Sequence, residues 1–163
     1  MIKKINFLFV TMFGIGKVKK IPGSIASLVT VLFLFFLFHI LKFSPNIVLF
    51  FLILIFLISL FAVNIYIRDL TDKDPKEVVV DEFIGQSIPI CLYEVAHNTS
   101  NETYQVLKFY LVMFVLFRIF DIVKPFPVSY YDKNFKNSFG IIMDDVCAGL
   151  YVVGMLVLYM IFV

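Results

Sequence analysis

The chain has 163 residues, of which 61% are hydrophobic and only 16% are charged, and its mean hydropathy is +0.98. Soluble domains are typically about 45–50% apolar and about 25% charged, so this composition excludes an ordinary soluble domain and indicates an integral membrane protein. The net charge of +2 and the lack of a nucleic-acid motif argue against nucleic acid as a partner, and the two cysteines, Cys91 and Cys147, are interpreted as buried thiols.

The N-terminal segment MIKKINFLFVTMFGIG resembles a signal peptide only superficially, because its apolar part is short and no small-residue cleavage site follows. We expect an amphipathic segment at the membrane surface. The segment GIGKVKKIPGSIAS (14–27) then places Pro22, Gly23 and Ser24 before a long apolar run. Ser24 is predicted to be a helix N-cap, and the backbone N–H groups of that helix start would suit a phosphate. The lysines of this segment could equally bind anionic lipid headgroups.

Apolar stretches of membrane-spanning length predict an all-α, multi-span membrane bundle that forms a single domain over residues 1–163. A spanning helix needs about 20 mostly apolar residues. About five spans fit the pattern, at residues 24–42, 45–67, 78–94, 104–123 and 146–163. The third and fourth are the weaker ones, because they contain Asp81, Glu82, Arg118 and Asp121.

Lysine and arginine are distributed unevenly about these spans. With a cytoplasmic N-terminus, twelve of the 14 basic residues lie on the cytoplasmic side and only Lys42 and Lys108 lie outside. The same topology leaves only Glu94 and Glu102 outside among the acids. The sequence therefore predicts a cytoplasmic N-terminus and a charged site at the cytoplasmic face of the membrane.

Two pairs of adjacent carboxylates occur where predicted spans begin: Asp81 with Glu82, and Asp144 with Asp145. Carboxylates in a membrane-spanning segment are costly and are usually paired or functional. Two helix starts at one face could jointly hold Mg²⁺, which prefers oxygen ligands. The competing interpretation is two independent helix starts, each stabilised by acids near the positive end of its dipole.

The segment FRIFDIVKPFPVSYYDKN (117–134) adds two cations at the same face. Arg118 and Asp121 are three residues apart, so they can form an ion pair on one helix face. Lys124 precedes Pro125, which predicts that the helix ends there. Arg118 and Lys124 are also suitable phosphate ligands.

Two further features are assigned no function from the sequence. The segment DLTDKDPKE (69–77) is predicted to be a solvated loop. His39 lies inside an apolar run and is interpreted as a tolerated polar residue.

The order of these segments resembles the phosphatidylglycerophosphatase A family. The resemblance runs from about Gly14 to the last span and rests on the blocks PGSIAS (22–27), VVVDEFIGQ (78–86), FRIFDIVKPFP (117–127) and GIIMDDVCAG (140–149). One departure is that Lys17, Val18, Lys19 and Lys20 fill the middle of the glycine-rich segment, and Ala26 takes the place of its last glycine.

This resemblance implies a Mg²⁺-dependent lipid phosphatase of the bacterial cytoplasmic membrane. It would remove the terminal phosphate of phosphatidylglycerophosphate to give phosphatidylglycerol. The residues expected to be catalytic and to bind the metal are Asp81, Glu82, Asp144 and Asp145. The residues expected to bind the substrate are Arg118, Asp121, Lys124, Gly23 and Ser24.

Alternatives remain open for both mechanism and class. Water could attack the phosphate directly with an acid as general base, or Asp81 or Asp145 could be the nucleophile of an aspartyl-phosphate. A small ion-coupled transporter or channel subunit would use the acids as an ion site, but transport sites tend to lie near the midplane in repeated halves. A CDP-alcohol phosphotransferase should contain DGxxAR…GxxxDxxxD, which does not occur here. An assembly protein without chemistry does not account for the block around Arg118.

Overall fold

The computed structural model describes residues 2–97 and 103–162, and every regular element in these ranges is helical. Within these ranges the α-helices are α1 (Ile2–Val10), α2 (Pro22–Phe35), α3 (Pro45–Ile67), α4 (Val80–His97), α5 (Thr103–Val123), α6 (Val128–Asn134) and α7 (Ser138–Phe162). A 3₁₀ turn spans Ile15–Lys17, and α2 continues as a π-helix over Phe36–Ile40. The prediction of an all-α bundle is confirmed.

Three of these helices are long and apolar enough to cross a membrane: Pro22–Ile40, Pro45–Ile67 and Ser138–Phe162. Their apolar composition indicates a membrane-associated protein. Helices α4 and α5 lie where the other two spans were predicted, but their charged residues lower their hydropathy. The count of about five spans therefore stays a prediction.

Helix α4 is the centre of the bundle, because it packs against α2, α3, α5 and α7. It contains Pro89, whose missing N–H leaves the carbonyl of Gly85 without its usual partner in the helix. Gly149 of α7 packs directly against that carbonyl oxygen. The small residues on both helices thus allow α4 and α7 to approach closely, as small residues commonly do in membrane helix pairs.

The N-terminal segment forms a short helix that packs on α3. The Asn6 side-chain amide donates a hydrogen bond to the Ala62 carbonyl at 3.0 Å, and the Phe7 ring contacts the Tyr66 ring. An amphipathic segment was expected here, and its position at a membrane surface stays a prediction.

Two predicted helix starts are wrong. Helix α2 begins at Pro22 with Ile21 as its N-cap, so Ser24 lies inside the first turn and is not the cap. Proline is favoured at the first helical position because it has no N–H to leave unsatisfied. Helix α7 begins at Ser138, eight residues before residue 146, because the Asn137 side chain accepts a hydrogen bond from Gly140 N at 3.0 Å and stabilises an earlier start.

Candidate functional site

A polar cleft of about 440 Å³ lies where the start of α2, the segment before α4, the start of α4, the end of α5 and the first turns of α7 meet. Its charged and polar lining residues are Ser24, Asp74, Lys76, Asp81, Glu82, Arg118, Asp121, Lys124, Asp144 and Asp145. All nine residues that the sequence assigned to a site line this one cleft. The two carboxylate pairs, distant in the sequence, are therefore neighbours in space.

Three carboxylates form the centre of the cleft. Asp81, Glu82 and Asp145 each offer a ligand oxygen, and these oxygens lie within 4.8 Å of one another. Asp81 and Asp145 are buried, and the oxygens Glu82 Oε2 and Asp145 Oδ1 are buried without a hydrogen-bond partner among the described residues. Buried carboxylate oxygens without partners are unfavourable unless a cation or a proton neutralises them. The three residues therefore fit a hard cation such as Mg²⁺ in donor type and in spacing.

The close contact of α4 and α7 brings these carboxylates together. A Cβ atom added at Gly85 would lie 2.6 Å from the Asp145 carbonyl oxygen and 2.8 Å from Phe117 Cε2, so only glycine fits here. Gly85 lies one turn after Asp81 and Glu82 on α4, so its packing against Asp145 fixes the distance between the two groups. Gly85 belongs to the block VVVDEFIGQ (78–86), but no packing role was predicted for it from the sequence.

Asp144 has a different partner from the other three acids. Its Oδ2 accepts a hydrogen bond from Lys124 Nζ at 2.9 Å, and the same Nζ donates to Asp132 at 2.6 Å. Burial lowers the pKa of Lys124, but these hydrogen bonds outweigh that effect, so the pKa of its ammonium group is raised and it stays charged. Lys124 therefore ties the end of α5 to α6 and α7, and its bridge holds Asp144 beside the cluster of three.

Arg118 is positioned by groups from two helices. Its Nη1 forms an ion pair with Asp121 at 2.9 Å, which confirms the predicted pair at this spacing, and also donates to Ser27 Oγ at 3.4 Å. Its Nε is buried without a partner among the described residues. The guanidinium is thus held in place at the cleft by its contacts with Asp121 and Ser27.

Gly23 provides the space in which Glu82 and Arg118 meet. A Cβ atom at this position would overlap the Glu82 carboxylate and would lie 3.4 Å from Arg118 Nη1. Gly23 therefore belongs to the cleft through close packing, whereas Ser24 lines it one residue further along α2.

Two further polar residues, Asp74 and Gln86, had no function predicted from the sequence, and only Asp74 lines the cleft. Asp74 lines the cleft although its segment was predicted to be a solvated loop. Gln86 is fully buried, and neither polar atom of its amide has a partner among the described residues. Gln86 lies four residues after Glu82 on α4, and this spacing in the sequence already places the two side chains on the same helix face.

A second buried polar cluster joins α2, α4 and α5 away from the cleft. Glu94 Oε1 accepts a hydrogen bond from Tyr110 at 2.8 Å and lies 3.1 Å from His39 Nε2. Glu94 and Tyr110 are almost fully buried. His39, interpreted from the sequence as merely tolerated, therefore has a specific partner. Glu94 is buried inside the bundle, and its predicted position on the outer side of the membrane stays a prediction.

Both cysteines are free and buried, as predicted. They lie at the packing faces of α4 and α7 and do not line the polar cleft.

The fold and the cleft define a class: an all-helical membrane-associated protein with a carboxylate-rich polar site formed at the ends of its helices. The sequence model of the family described as Phosphatidylglycerophosphatase A matches residues 8–160. The chain therefore belongs to the phosphatidylglycerophosphatase A family.

Curated relatives are similar over about half of the chain. A phosphatidylglycerophosphatase A of Haemophilus influenzae is 39% identical over 85 residues, covering 52% of this chain and 47% of the relative. The phosphatidylglycerophosphatase A of Escherichia coli is 34% identical over 89 residues, covering 55% and 46%. A Bacteroides thetaiotaomicron protein named "Putative phosphatidylinositol-3-phosphatase" is 47% identical over 79 residues, covering 48% and 45%. The chain thus matches about half the length of these relatives, and no solved structure matches it.

Proposed function

We propose that this protein hydrolyses the terminal phosphomonoester of phosphatidylglycerophosphate in the bacterial cytoplasmic membrane, giving phosphatidylglycerol and phosphate. One observation carries the proposal: three carboxylates, two of them with buried unpartnered oxygens, lie beside Arg118 in one cleft. Membership of the phosphatidylglycerophosphatase A family supports the choice of substrate. The names of the Haemophilus influenzae and Escherichia coli relatives agree with it.

Asp81, Glu82 and Asp145 are the residues that would hold Mg²⁺. When bound, Mg²⁺ supplies positive charge that offsets the charge of the phosphoryl group and favours ionisation of water. Asp144 was also predicted as a ligand, but its carboxylate bonds to Lys124. We assign Asp144 to the support of the site and retain the other three as the ligand set.

Arg118 would bind the phosphate of the substrate. Its guanidinium presents planar donors that suit phosphate oxygens, and Asp121 and Ser27 fix its orientation. A preorganised cation stabilises the charge of a transferring phosphoryl group without reorganisation during the reaction. Our preferred mechanism is direct attack by water on phosphorus, with a carboxylate of the cluster accepting a proton from that water. The P–O bond to the lipid breaks, and the leaving alkoxide oxygen takes up a proton to give phosphatidylglycerol. Trapping of a phosphorylated protein would contradict direct attack and support an aspartyl nucleophile.

The membrane arrangement we propose is multi-pass, with the N-terminus and the cleft on the cytoplasmic side. The distribution of lysine and arginine supports this orientation. An engineered cysteine at the exposed Lys133 should react with an impermeant reagent from the cytoplasmic side only.

The relative from Bacteroides thetaiotaomicron gives a second candidate substrate. Its name refers to phosphatidylinositol 3-phosphate, which also joins a membrane lipid to a phosphomonoester. A substrate panel should therefore contain both lipids. We expect faster release of phosphate from phosphatidylglycerophosphate.

The test is phosphate release by the purified protein with Mg²⁺ or with a chelator. Asp81→Asn and Asp145→Asn should lower the rate by about 100-fold or more, the usual scale for loss of a group that stabilises the transition state. Asp69→Asn, a change at an exposed acid that does not line the cleft, is the matched control. Mg²⁺ should raise the melting temperature of the wild type and not of Asp145→Asn. Full activity in chelator, or in both cleft variants, would overturn the proposal.

A further inference from the structure

We propose that the acyl chains of the lipid substrate lie on the outer face formed by α2 and α5, and that Ile21 and Ile122 form the lateral opening through which the phosphorylated headgroup reaches the cleft. This inference rests on the proposed function and adds an entry route and two specificity-determining residues to it.

The first observation is the lining of the cleft. Ile21 and Ile122 are 69% and 71% exposed, whereas the other aliphatic side chains that line it, Val78 and Ile141, are buried. The two exposed isoleucines come from different helices, at the N-cap of α2 and near the end of α5. The charged cleft therefore opens between two exposed apolar side chains.

The second observation is the backbone of Ile21. This residue has φ 49° and ψ 49°, in the left-handed region, which β-branched residues rarely adopt because of steric clash. Strained residues of this kind persist where the surrounding structure enforces them and are concentrated at functional sites. Here the surrounding structure holds an isoleucine in this conformation at the edge of the cleft, although a glycine would adopt it without steric strain.

The third observation is that each isoleucine begins an apolar stripe along its helix. On α2 the stripe continues to Leu32, and on α5 it continues to Leu111, both exposed. Each stripe extends eleven residues from its isoleucine, or about 16 Å at 1.5 Å per residue. That distance is about half of the roughly 30 Å hydrocarbon thickness of a bilayer. The face thus has the depth of one leaflet.

The stripes flank a seam along which α2 and α5 remain in contact. Arg118 of α5 donates a hydrogen bond to Ser27 of α2 near the cleft. Further along, the ring centroids of Phe35 and Tyr110 lie 6.1 Å apart. An apolar face of this kind, continuous with a cleft that contains unpaired carboxylate oxygens and an arginine, matches an amphiphile with a phosphate at one end. A diacyl lipid phosphate has both an apolar part and a phosphate, whereas a soluble phosphate ester has the phosphate but no acyl chains.

The experiment compares dioleoyl phosphatidylglycerophosphate in mixed micelles with its deacylated, water-soluble headgroup. Ile122→Ser should raise KM for the lipid by about tenfold, as expected for loss of apolar contact with a well-ordered chain. It should leave kcat/KM for the soluble headgroup within about twofold. Ile161→Ser is the matched control, because Ile161 is 70% exposed and lies at the far end of α7. It should behave as the wild type on both substrates.

Ile21→Asn serves as the second variant, because asparagine tolerates the left-handed conformation and its effect cannot be attributed to added strain. It too should raise KM for the lipid. Unchanged lipid KM in both variants, or equal losses on both substrates, would overturn the inference while the proposed function stands. A change in oligomeric state of Ile122→Ser without a change in KM would assign this face to a second copy and also overturn it. A wild type that releases no phosphate from either substrate would remove the proposed function and this inference together.

Discussion

The contact between Gly85 and Asp145 makes the carboxylate cluster sensitive to a single methyl group. In Gly85→Ala the added Cβ would lie 2.6 Å from the Asp145 carbonyl oxygen, whereas ordinary carbon contacts are about 3.5–4.0 Å. Helices α4 and α7 must therefore separate by about 1 Å, because the obstructing atom belongs to the backbone and cannot rotate away. Overpacking of this kind typically costs about 1–3 kcal/mol.

The same separation would widen the site that the two helices form. Asp81 and Glu82 lie on α4 and Asp145 lies on α7, so the approach of their oxygens to within 4.8 Å of one another depends on this contact. A misplacement of about 1 Å in catalytic geometry can cost about 100-fold in rate. We therefore expect Gly85→Ala to lose much more activity than its stability loss alone would explain, when measured below its melting temperature.

The assay combines thermal unfolding in detergent with phosphate release at saturating Mg²⁺. Gly154→Ala is the control. Gly154 lies on α7, as Asp145 does, and a Cβ atom added at Gly154 would meet nothing within 4 Å. This control should be as stable as the wild type or more so, because alanine is a better helix former than glycine. Wild-type activity in Gly85→Ala, or equal damage in Gly154→Ala, would refute the role of the contact.

Two further predictions concern buried polar contacts. Lys124→Met should lower the free energy of unfolding at pH 7 by about 1–3 kcal/mol, because Asp132 and Asp144 lose their shared donor. Because the pKa of Lys124 is raised in the folded state, this stabilisation is fully present below the ordinary lysine pKa of about 10.4. It is lost as the pH rises through the folded-state pKa. A Lys124→Met variant as stable as the wild type at pH 7 would contradict the prediction. Glu94→Ala should lower the free energy of unfolding by about 1–3 kcal/mol, because His39 and Tyr110 lose an acceptor. The KM of the folded enzyme should not change. A tenfold change in that KM would link this distant cluster to the cleft.

The helices and the gathering of the site were accessible from the sequence because both follow from local patterns. Long apolar runs predicted α2, α3 and α7, and the proline after Lys124 predicted the end of α5. The two carboxylate pairs were expected at one face, and the structure brings them to one cleft. The distribution of lysine and arginine about the predicted spans was sufficient for that expectation, because spans that cross the membrane in turn place their ends at the same two surfaces.

What the sequence did not reveal depends on contacts between distant segments. Asp144 and Asp145 are adjacent in the sequence, yet their side chains have different partners, because successive residues on a helix point about 100° apart. The partnership of His39 with Glu94 spans 55 positions and has no local signature. The role of Gly85 likewise becomes visible only when α7 is placed against it, since a glycine within a helix could otherwise be a simple packing residue.

The placement of Asp145 on α7, well after α4 in the sequence, has a consequence for biosynthesis. A growing chain that has reached only α6 already carries Asp81 and Glu82 in α4 but has no third carboxylate to complete the cluster. As a predicted span, α4 would enter the membrane with two adjacent acids, each costing up to about 2.5–3.5 kcal/mol at the centre of a bilayer, before their eventual neighbour has been translated. In the function proposed above, the cation site would be complete only after α7 has been translated and has docked against α4.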